Sequence, residues 1–198
     1  MDKMSALIYV FVSAALVENL VFARAMGVDG ILERTRSYRG ILYFGAMTAA
    51  VTAPASLMAW GGGQLLEGSS VAGSAKGVVA VVCLSAAFLL AWSLLRGKAM
   101  NRRLPTADAL LISASFNGAS LGAVLLALTN QTKLLDTVVY ALGCSVGLTL
   151  AMLLVHSGRE RLEISNVPKS FSGLPITMIY IGILSLAIYG LIGHQLPT

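Results

Sequence analysis

The sequence predicts an all-α integral membrane protein with six transmembrane helices and both termini outside. Hydrophobic residues make up 57% of the 198-residue chain, charged residues only 12%, and mean hydropathy is +0.80. Soluble domains contain about 25% charged residues. Six apolar stretches each have about the 20 residues that a helix needs to cross a hydrocarbon core about 30 Å thick, with all backbone groups paired internally. The predicted spans are Ser5–Ala23, Ile41–Gly62, Gly77–Leu95, Ala107–Leu128, Leu134–His156 and Gly173–Gly193.

Basic residues alternate between loops, and this pattern orients the spans. Of the 14 Lys and Arg residues, only Lys3, Lys76 and Lys133 lie outside the first, third and fifth connections. The positive-inside rule therefore places those three connections in the cytoplasm and both termini outside. We interpret the basic residues behind the net charge of +5 mainly as determinants of topology, with contact to the lipid bilayer as a secondary role. No nucleic-acid partner is expected. The 11 basic residues of the odd-numbered connections are Arg24, Arg34, Arg36, Arg39, Arg96, Lys98, Arg102, Arg103, Arg159, Arg161 and Lys169.

The six spans divide into two triplets within a single membrane domain, residues 1–198. Residues 1–103 form the first three-helix repeat and residues 104–198 the second. Because three is odd, two such halves enter the membrane from opposite sides, which makes an inverted repeat. Aligning Leu16–Gly27 with Leu111–Gly122 retains little beyond the terminal Leu and Gly. The repeat is therefore predicted from topology.

The first and fourth spans, which open the two triplets, contain unusual polar residues. The first carries Glu18 and Asn19, and the fourth carries Asn117 and Gly118 within the run SASFNGASLG. A charged side chain inside a bilayer costs about 2.5 kcal/mol or more, so it usually faces a bundle interior or a water-filled path. Small and amide residues allow close helix packing or a break at mid-membrane. We expect interruptions at these two sites and a mid-membrane pathway beside them; the alternative is two well-packed helices with one interfacial glutamate.

No sequence pattern of a soluble enzyme occurs in the chain. Cys83 and Cys144 lie inside predicted spans without ligand spacing, and we expect them to pack as small hydrophobic residues. His156 and His194 lie at span ends and form no HExxH pair. Gly61–Gly63 is expected to close the second span rather than to bind a phosphate. We therefore predict no catalytic residue and no metal site.

The connection between the fifth and sixth spans is the most distinctive part of the sequence. We predict a cytosolic elbow that contains Arg159, Glu160, Arg161 and Pro168, with the last helix restarting near Pro175.

The segment RERLEISNVPKSFSGLPITMIYIGILSLAIYGLIG resembles the C-terminal third of a known family, which comprises the A-type membrane subunits of Rnf electron-transport complexes and the E-type membrane subunits of sodium-pumping NADH:quinone reductase. LVENLVFARAMGV resembles the family's Leu-Val-Asn-Asn pattern followed by a Leu-Gly pair, and NGASLGAVLL its Asn-Cys-x-x-Leu-Gly run.

The resemblance implies a component of a larger complex in a prokaryotic cytoplasmic membrane. Such a component pairs with a homologous, oppositely oriented six-span subunit, and the pair holds a shared two-iron, two-sulfur (2Fe-2S) cluster through two cysteines from each chain. Electron flow through it is linked to Na⁺ or H⁺ movement. In this sequence the two cysteine positions are occupied by Asp29 and Gly118, so we expect no cysteine-ligated cluster on this chain. Glu18 also replaces an asparagine of the family pattern, which adds a titratable group.

Two functional hypotheses follow from these observations. In the first, the chain is an integral membrane subunit of an Rnf/Nqr-type ion-translocating electron-transport complex that scaffolds and lines the coupling region. It would then belong to a redox-driven translocase without being catalytic alone. In the second, the chain is a stand-alone small secondary transporter built on an inverted repeat. A purely structural membrane protein is a third reading, which Glu18 disfavours.

Overall fold

The computed structural model describes residues 3–28, 37–66, 72–99, 105–131, 133–165, 168 and 170–192. Every regular element in these ranges is helical, and a single π-helical turn, Ser13–Val17, follows the first α-helix. The α-helices are α1 (Lys3–Val12), α2 (Leu20–Arg24), α3 (Tyr38–Leu66), α4 (Ala72–Ala99), α5 (Pro105–Ser115), α6 (Gly118–Asn130), α7 (Leu134–Ile164) and α8 (Leu174–Ile192).

Several of these helices are long and apolar enough to cross a bilayer. Among the described residues, α3, α4 and α7 each contain such a stretch, and α5 with α6 forms a fourth if the pair, bent by 46°, counts as one span. Two shorter apolar segments are Lys3–Val17 and Leu174–Gly190. The all-α membrane class is confirmed, while the number of six spans and the location of the termini stay predictions.

Helix α7 lies at the centre of the bundle because small residues along it admit close neighbours. A methyl group added at Gly143 would lie 2.7 Å from the carbonyl oxygen of Phe11 on α1. On another face of α7, Ser145 Oγ lies 2.9 Å from Thr52 Oγ1 of α3, so two buried hydroxyls form a hydrogen bond between the helices. Small residues and hydroxyl pairs hold helices together where the surroundings supply no hydrophobic driving force.

The second span is longer than the sequence predicted. Gly61–Gly63 does not close it, because α3 continues through these residues to Leu66. A methyl group at Gly63 would lie 2.7 Å from Leu128 Cδ1, and one at Gly62 would lie 2.9 Å from Val79 Cγ1. The glycines therefore give neighbouring side chains room to approach a continuous helix, and the expected turn at this position is wrong.

The expected elbow is also displaced along the chain. Arg159, Glu160 and Arg161 do not lie in a loop, because α7 continues to Ile164 and includes them. This segment has good helix formers, and His156 Nε2 lies 3.5 Å from Glu160 Oε1 one turn later, which supports the helix. The chain leaves the helix at Ser165 with extended dihedral angles, ahead of Pro168. Gly173, with φ of +85°, then precedes α8, whose first turn contains Pro175 as expected.

Candidate functional site

The first predicted interruption lies at Glu18 and Asn19, between the π-helical turn and α2. Glu18 N–H still donates to Ser13 O at 2.8 Å, but Asn19 adopts φ of −54° and ψ of 121° and leaves the helix. Asn19 Oδ1 accepts hydrogen bonds from the backbone N–H groups of Val21, at 3.0 Å, and Phe22, at 3.4 Å. The Asn19 side chain therefore caps α2, as short amide side chains commonly do at a helix N-terminus.

The amide nitrogen of Asn19 ties the break to two other parts of the bundle. It donates to Ala15 O at 3.0 Å in the preceding turn and to Gly147 O at 2.9 Å in α7. Asn19 is only 4% exposed, so every bond to its side chain is made inside the protein. A buried amide with its donors and acceptor satisfied avoids the cost of an unpaired polar group and fixes the break against α7.

The second predicted interruption lies at Asn117, between α5 and α6. Asn117 is extended, with φ of −126° and ψ of 163°, and its Oδ1 accepts from Ser120 N–H at 2.8 Å. Its Nδ2 donates to Ser113 O at 3.1 Å, and Ser120 Oγ donates to Ala114 O at 2.5 Å. These bonds replace the helical ones that the break removes.

Asn19 and Asn117 occupy equivalent positions in the two breaks. Each caps the following helix with its side-chain oxygen and donates from its nitrogen to the carbonyl four residues earlier. The alignment of Leu16–Gly27 with Leu111–Gly122 placed Asn19 opposite Ala114, three residues away. The alignment is therefore out of register by three residues, because it was anchored on Leu and Gly residues that have different structural roles in the two segments.

The segment after the first break packs against the start of α6. A methyl group at Gly27, where φ is +80°, would lie 2.6 Å from Ala119 Cβ. One at Gly118 would lie 3.4 Å from Gly27 N, and one at Gly122 would collide with Met26 Sδ. The two interrupted helices therefore approach each other at backbone distance. Gly118 is part of this contact, whereas Asp29 lies outside the described residues.

Glu18 lies beside the first break and joins three elements. Its Oε2 accepts a hydrogen bond from Tyr140 Oη on α7 at 2.5 Å and another from Asn130 Nδ2 on α6 at 3.4 Å. The sequence reasoning missed both partners, which are 122 and 112 residues away from Glu18. Glu18 is partly exposed, Tyr140 is buried and Asn130 is exposed, so the group connects the bundle interior with its surface.

Comparison with known proteins identifies the family of this chain. A model described as "Rnf-Nqr subunit, membrane protein" matches residues 7–194. The chain belongs to the Rnf-Nqr family. It is 26% identical over 190 residues to the A-type component of the Na⁺-translocating ferredoxin:NAD⁺ oxidoreductase complex of Acetobacterium woodii, covering 96% of this chain and 98% of the relative.

Other relatives of this Rnf-Nqr chain have similar names. The A-type component of the ion-translocating oxidoreductase complex of Syntrophotalea carbinolica is 29% identical over 190 residues, covering 96% of this chain and 98% of the relative. The corresponding component from Alkalilimnicola ehrlichii is 40% identical over 77 residues, which cover 39% of this chain and 40% of the relative. These comparisons confirm the suspected family.

The family resemblance implies an iron–sulfur cluster, and Gly118 occupies one of the two cysteine positions in this Rnf-Nqr chain. Gly118 offers no ligand atom, and its free side faces the backbone of Gly27. Cys144 is fully buried in α7 and Cys83 lies in α4, so neither occupies the cluster position beside Asn117. Over the described ranges, no three His, Cys, Asp or Glu side chains come together as metal ligands.

The residues of the predicted elbow lie apart from the breaks. Glu160 Oε2 accepts a hydrogen bond from Tyr38 Oη at 3.3 Å, and the Tyr38 ring meets His156 edge-on at 4.3 Å between centroids. Arg159 lines a cavity of about 280 Å³ together with Thr177 of α8. These contacts connect the ends of α3, α7 and α8, and they place the basic segment at one end of the bundle.

Proposed function

We propose that this chain is the A-type membrane component of an Rnf/Nqr-type ion-translocating electron-transport complex. In this proposal the interrupted helices form the mid-membrane contact with a homologous six-span subunit, and they line the coupling region around Glu18, Asn19, Asn117 and Gly118. The main support is the close approach of two asparagine-capped breaks within a chain that the family model covers almost completely. Broken helices that meet at mid-membrane are typical of proteins that move ions.

The directions of the contacts support an inverted repeat of six spans. Phe11 lies against Gly143 and Ala15 lies against Gly147, so the first span and α7 run in the same direction. After the break, Leu20 lies near Gly122, whereas Gly27 lies near Gly118, so α2 and α6 run in opposite directions. A first span parallel to the fifth and antiparallel to the fourth is what the proposed topology requires. With the positive-inside rule, both termini are external to a prokaryotic cytoplasmic membrane.

We infer further that this chain gives no cysteine ligands to an iron–sulfur cluster. The positions that would carry thiolates hold Asp29 and Gly118, and the two cysteines of the chain lie in other spans. Thiolates are the usual ligands of such clusters, and glycine has no side-chain donor. The chain would then act as scaffold and ion-path wall, and electrons would cross the membrane through cofactors held by other proteins of the complex.

Copurification tests the proposal. The tagged chain is expressed with a homologous six-span partner from a neighbouring gene, and the purified membrane complex is analysed for stoichiometry, iron content and absorption on reduction. We expect an equimolar pair whose iron content is unchanged by the double substitution Cys83→Ser, Cys144→Ser. Loss of iron in that variant would refute the ligand assignment. Purification as a single chain that transports a substrate after reconstitution would favour the stand-alone transporter instead.

A further inference from the structure

Glu18 is an ionisable residue at a break in a helix, and its carboxylate is hydrogen-bonded to the exposed Asn130. We propose that Glu18 is a proton-exchange site that opens to the external side beside the end of α6. The proposal rests on the topology of the proposed function, but it concerns only residues of this chain. The family pattern has asparagine at this position, and an amide cannot release a proton; the site is therefore a property of this sequence.

The direction of the hydrogen bonds favours a proton over a metal cation. Both Tyr140 Oη and Asn130 Nδ2 donate toward the same atom, Glu18 Oε2. Their hydrogens stabilise the negative charge of the carboxylate, and the same hydrogens would repel a cation at that oxygen. Oε1 accepts neither bond. A proton needs only this one oxygen, whereas a metal cation needs several oxygen ligands, so we assign Oε1 to the proton. Uptake forms an O–H bond at Oε1 and neutralises the carboxylate, and release returns the proton to water.

Exposed and buried residues lie on different sides of Glu18. Asn130 ends α6 at the surface, and only Gln131 to Lys133 separate it from α7. On the other side of Glu18, Asn19 is buried with its amide fully engaged, and Leu20, Val21 and Phe22 are also buried. Closely packed apolar residues leave no room for water, so we place access to Glu18 on the side of Asn130. In this proposal Glu18 exchanges protons with one face of the membrane, and no proton path continues from it to the other face.

Among the described residues, few other titratable groups surround Glu18. On α7, Asp136 lies one turn before Tyr140 and the fully buried thiol of Cys144 one turn after it. Arg24 ends α2 and is exposed, while α6 contains no acidic, basic, histidine, cysteine or tyrosine residue. On α1, Tyr9 is 70% exposed. Glu18 is therefore the carboxylate at the break, with Asp136 nearer the end of α7.

Carbodiimide labelling tests the site in the full-length chain. Right-side-out membrane vesicles are treated with dicyclohexylcarbodiimide, which reacts with protonated carboxylic acids in apolar surroundings, and labelled peptides are identified by mass spectrometry. External pH is varied while internal pH is held constant, and then the reverse. We expect Glu18 labelling to change with external pH and not with internal pH. Glu18→Gln should remove the label from this peptide.

A matched pair of tyrosine variants tests whether the Tyr140 hydroxyl acts on Glu18 directly. Tyr140→Phe removes the hydroxyl that donates to Glu18, so the dependence of Glu18 labelling on external pH should change. Tyr9→Phe removes an equivalent hydroxyl from the exposed face of α1 and should leave the labelling curve unchanged.

Three results would overturn the proposal. Labelling that is absent, or independent of pH on both sides, would show that Glu18 exchanges no proton. Suppression of labelling by Na⁺ at constant pH would assign the site to a metal cation. Labelling that follows internal pH would refute external access and the topology together. Failure to copurify with a homologous partner would refute the proposed complex without altering any of these labelling results.

Discussion

Gly147 offers the sharpest test of how the first break is held in place. A methyl group at this position would lie 2.6 Å from Ala15 O and 3.1 Å from Asn19 Nδ2. Both obstacles belong to the packed break, and Ala15 O is a backbone atom that cannot rotate away. Gly147→Ala should therefore push the first span away from α7 and lengthen the bond from Asn19 Nδ2 to Gly147 O, which is 2.9 Å in the structure.

The expected loss of stability has three contributions. Overpacking a close contact costs about 1–3 kcal/mol. A hydrogen bond between membrane helices adds about 0.6 kcal/mol on average. Alanine recovers about 0.5–1 kcal/mol over glycine in a helix interior. The net expectation is a fall of about 1–3 kcal/mol in the free energy of unfolding.

Unfolding of the purified chain in mixed micelles measures this change, and Cys144 reports where it occurs. In a Cys83→Ser background, the maleimide reaction rate of the fully buried Cys144 thiol should rise in Gly147→Ala, because Cys144 lies one turn away on α7. Gly182→Ala on α8 is the matched control, since a methyl group there meets no atom within 4 Å. If Gly147→Ala were as stable as Gly182→Ala and Cys144 stayed protected, the close packing argued for the break would be wrong.

Three further substitutions have defined outcomes. Gly45→Ala should lower the free energy of unfolding by about 1–3 kcal/mol by colliding with Thr149, and Thr149→Ala should restore part of the loss in a double-mutant cycle. Asn117→Ala should cost about 0.5–2 kcal/mol by uncapping α6, whereas Asn117→Ser, which keeps an acceptor oxygen, should cost less in the same unfolding assay. Tyr38→Ala should cost about 0.5–1.5 kcal/mol by removing the edge-on contact with His156, and Tyr38→Phe, which keeps the ring, should lose less; equal losses would contradict a role for the ring.

The sequence was sufficient to locate both interruptions, because their chemistry is local. Asparagine, serine and glycine inside an apolar stretch compete with the helix for backbone hydrogen bonds, and Asn19 and Asn117 do so at the expected places. Helix ends were harder to predict. Gly61–Gly63 lies inside α3, and neighbouring side chains pack against Gly62 and Gly63, which is a tertiary effect that a breaker rule cannot detect.

The partners of Glu18 could not be predicted for a different reason. Tyr140 and Asn130 are distant in sequence, and the pairing depends on the relative placement of three helices. The spacing of Gly143 and Gly147 predicts a close neighbour for α7, but it does not say which helix that neighbour is. The π-helical turn before Glu18 was also not predicted, because its residues, Ser13–Val17, have no property that separates them from an ordinary helix.

The central position of α7 has a consequence for biosynthesis. The first span and α3 leave the ribosome long before α7, yet both make close contacts with α7, the first span at Gly143 and Gly147 and α3 at Ser145. Until the fifth span has been inserted, Asn19 has no carbonyl at Gly147 to bind and Thr52 has no hydroxyl partner. A nascent chain that stalls before residue 134 would lack one hydrogen-bond partner of the Asn19 amide, and an unpaired polar group is costly inside a membrane.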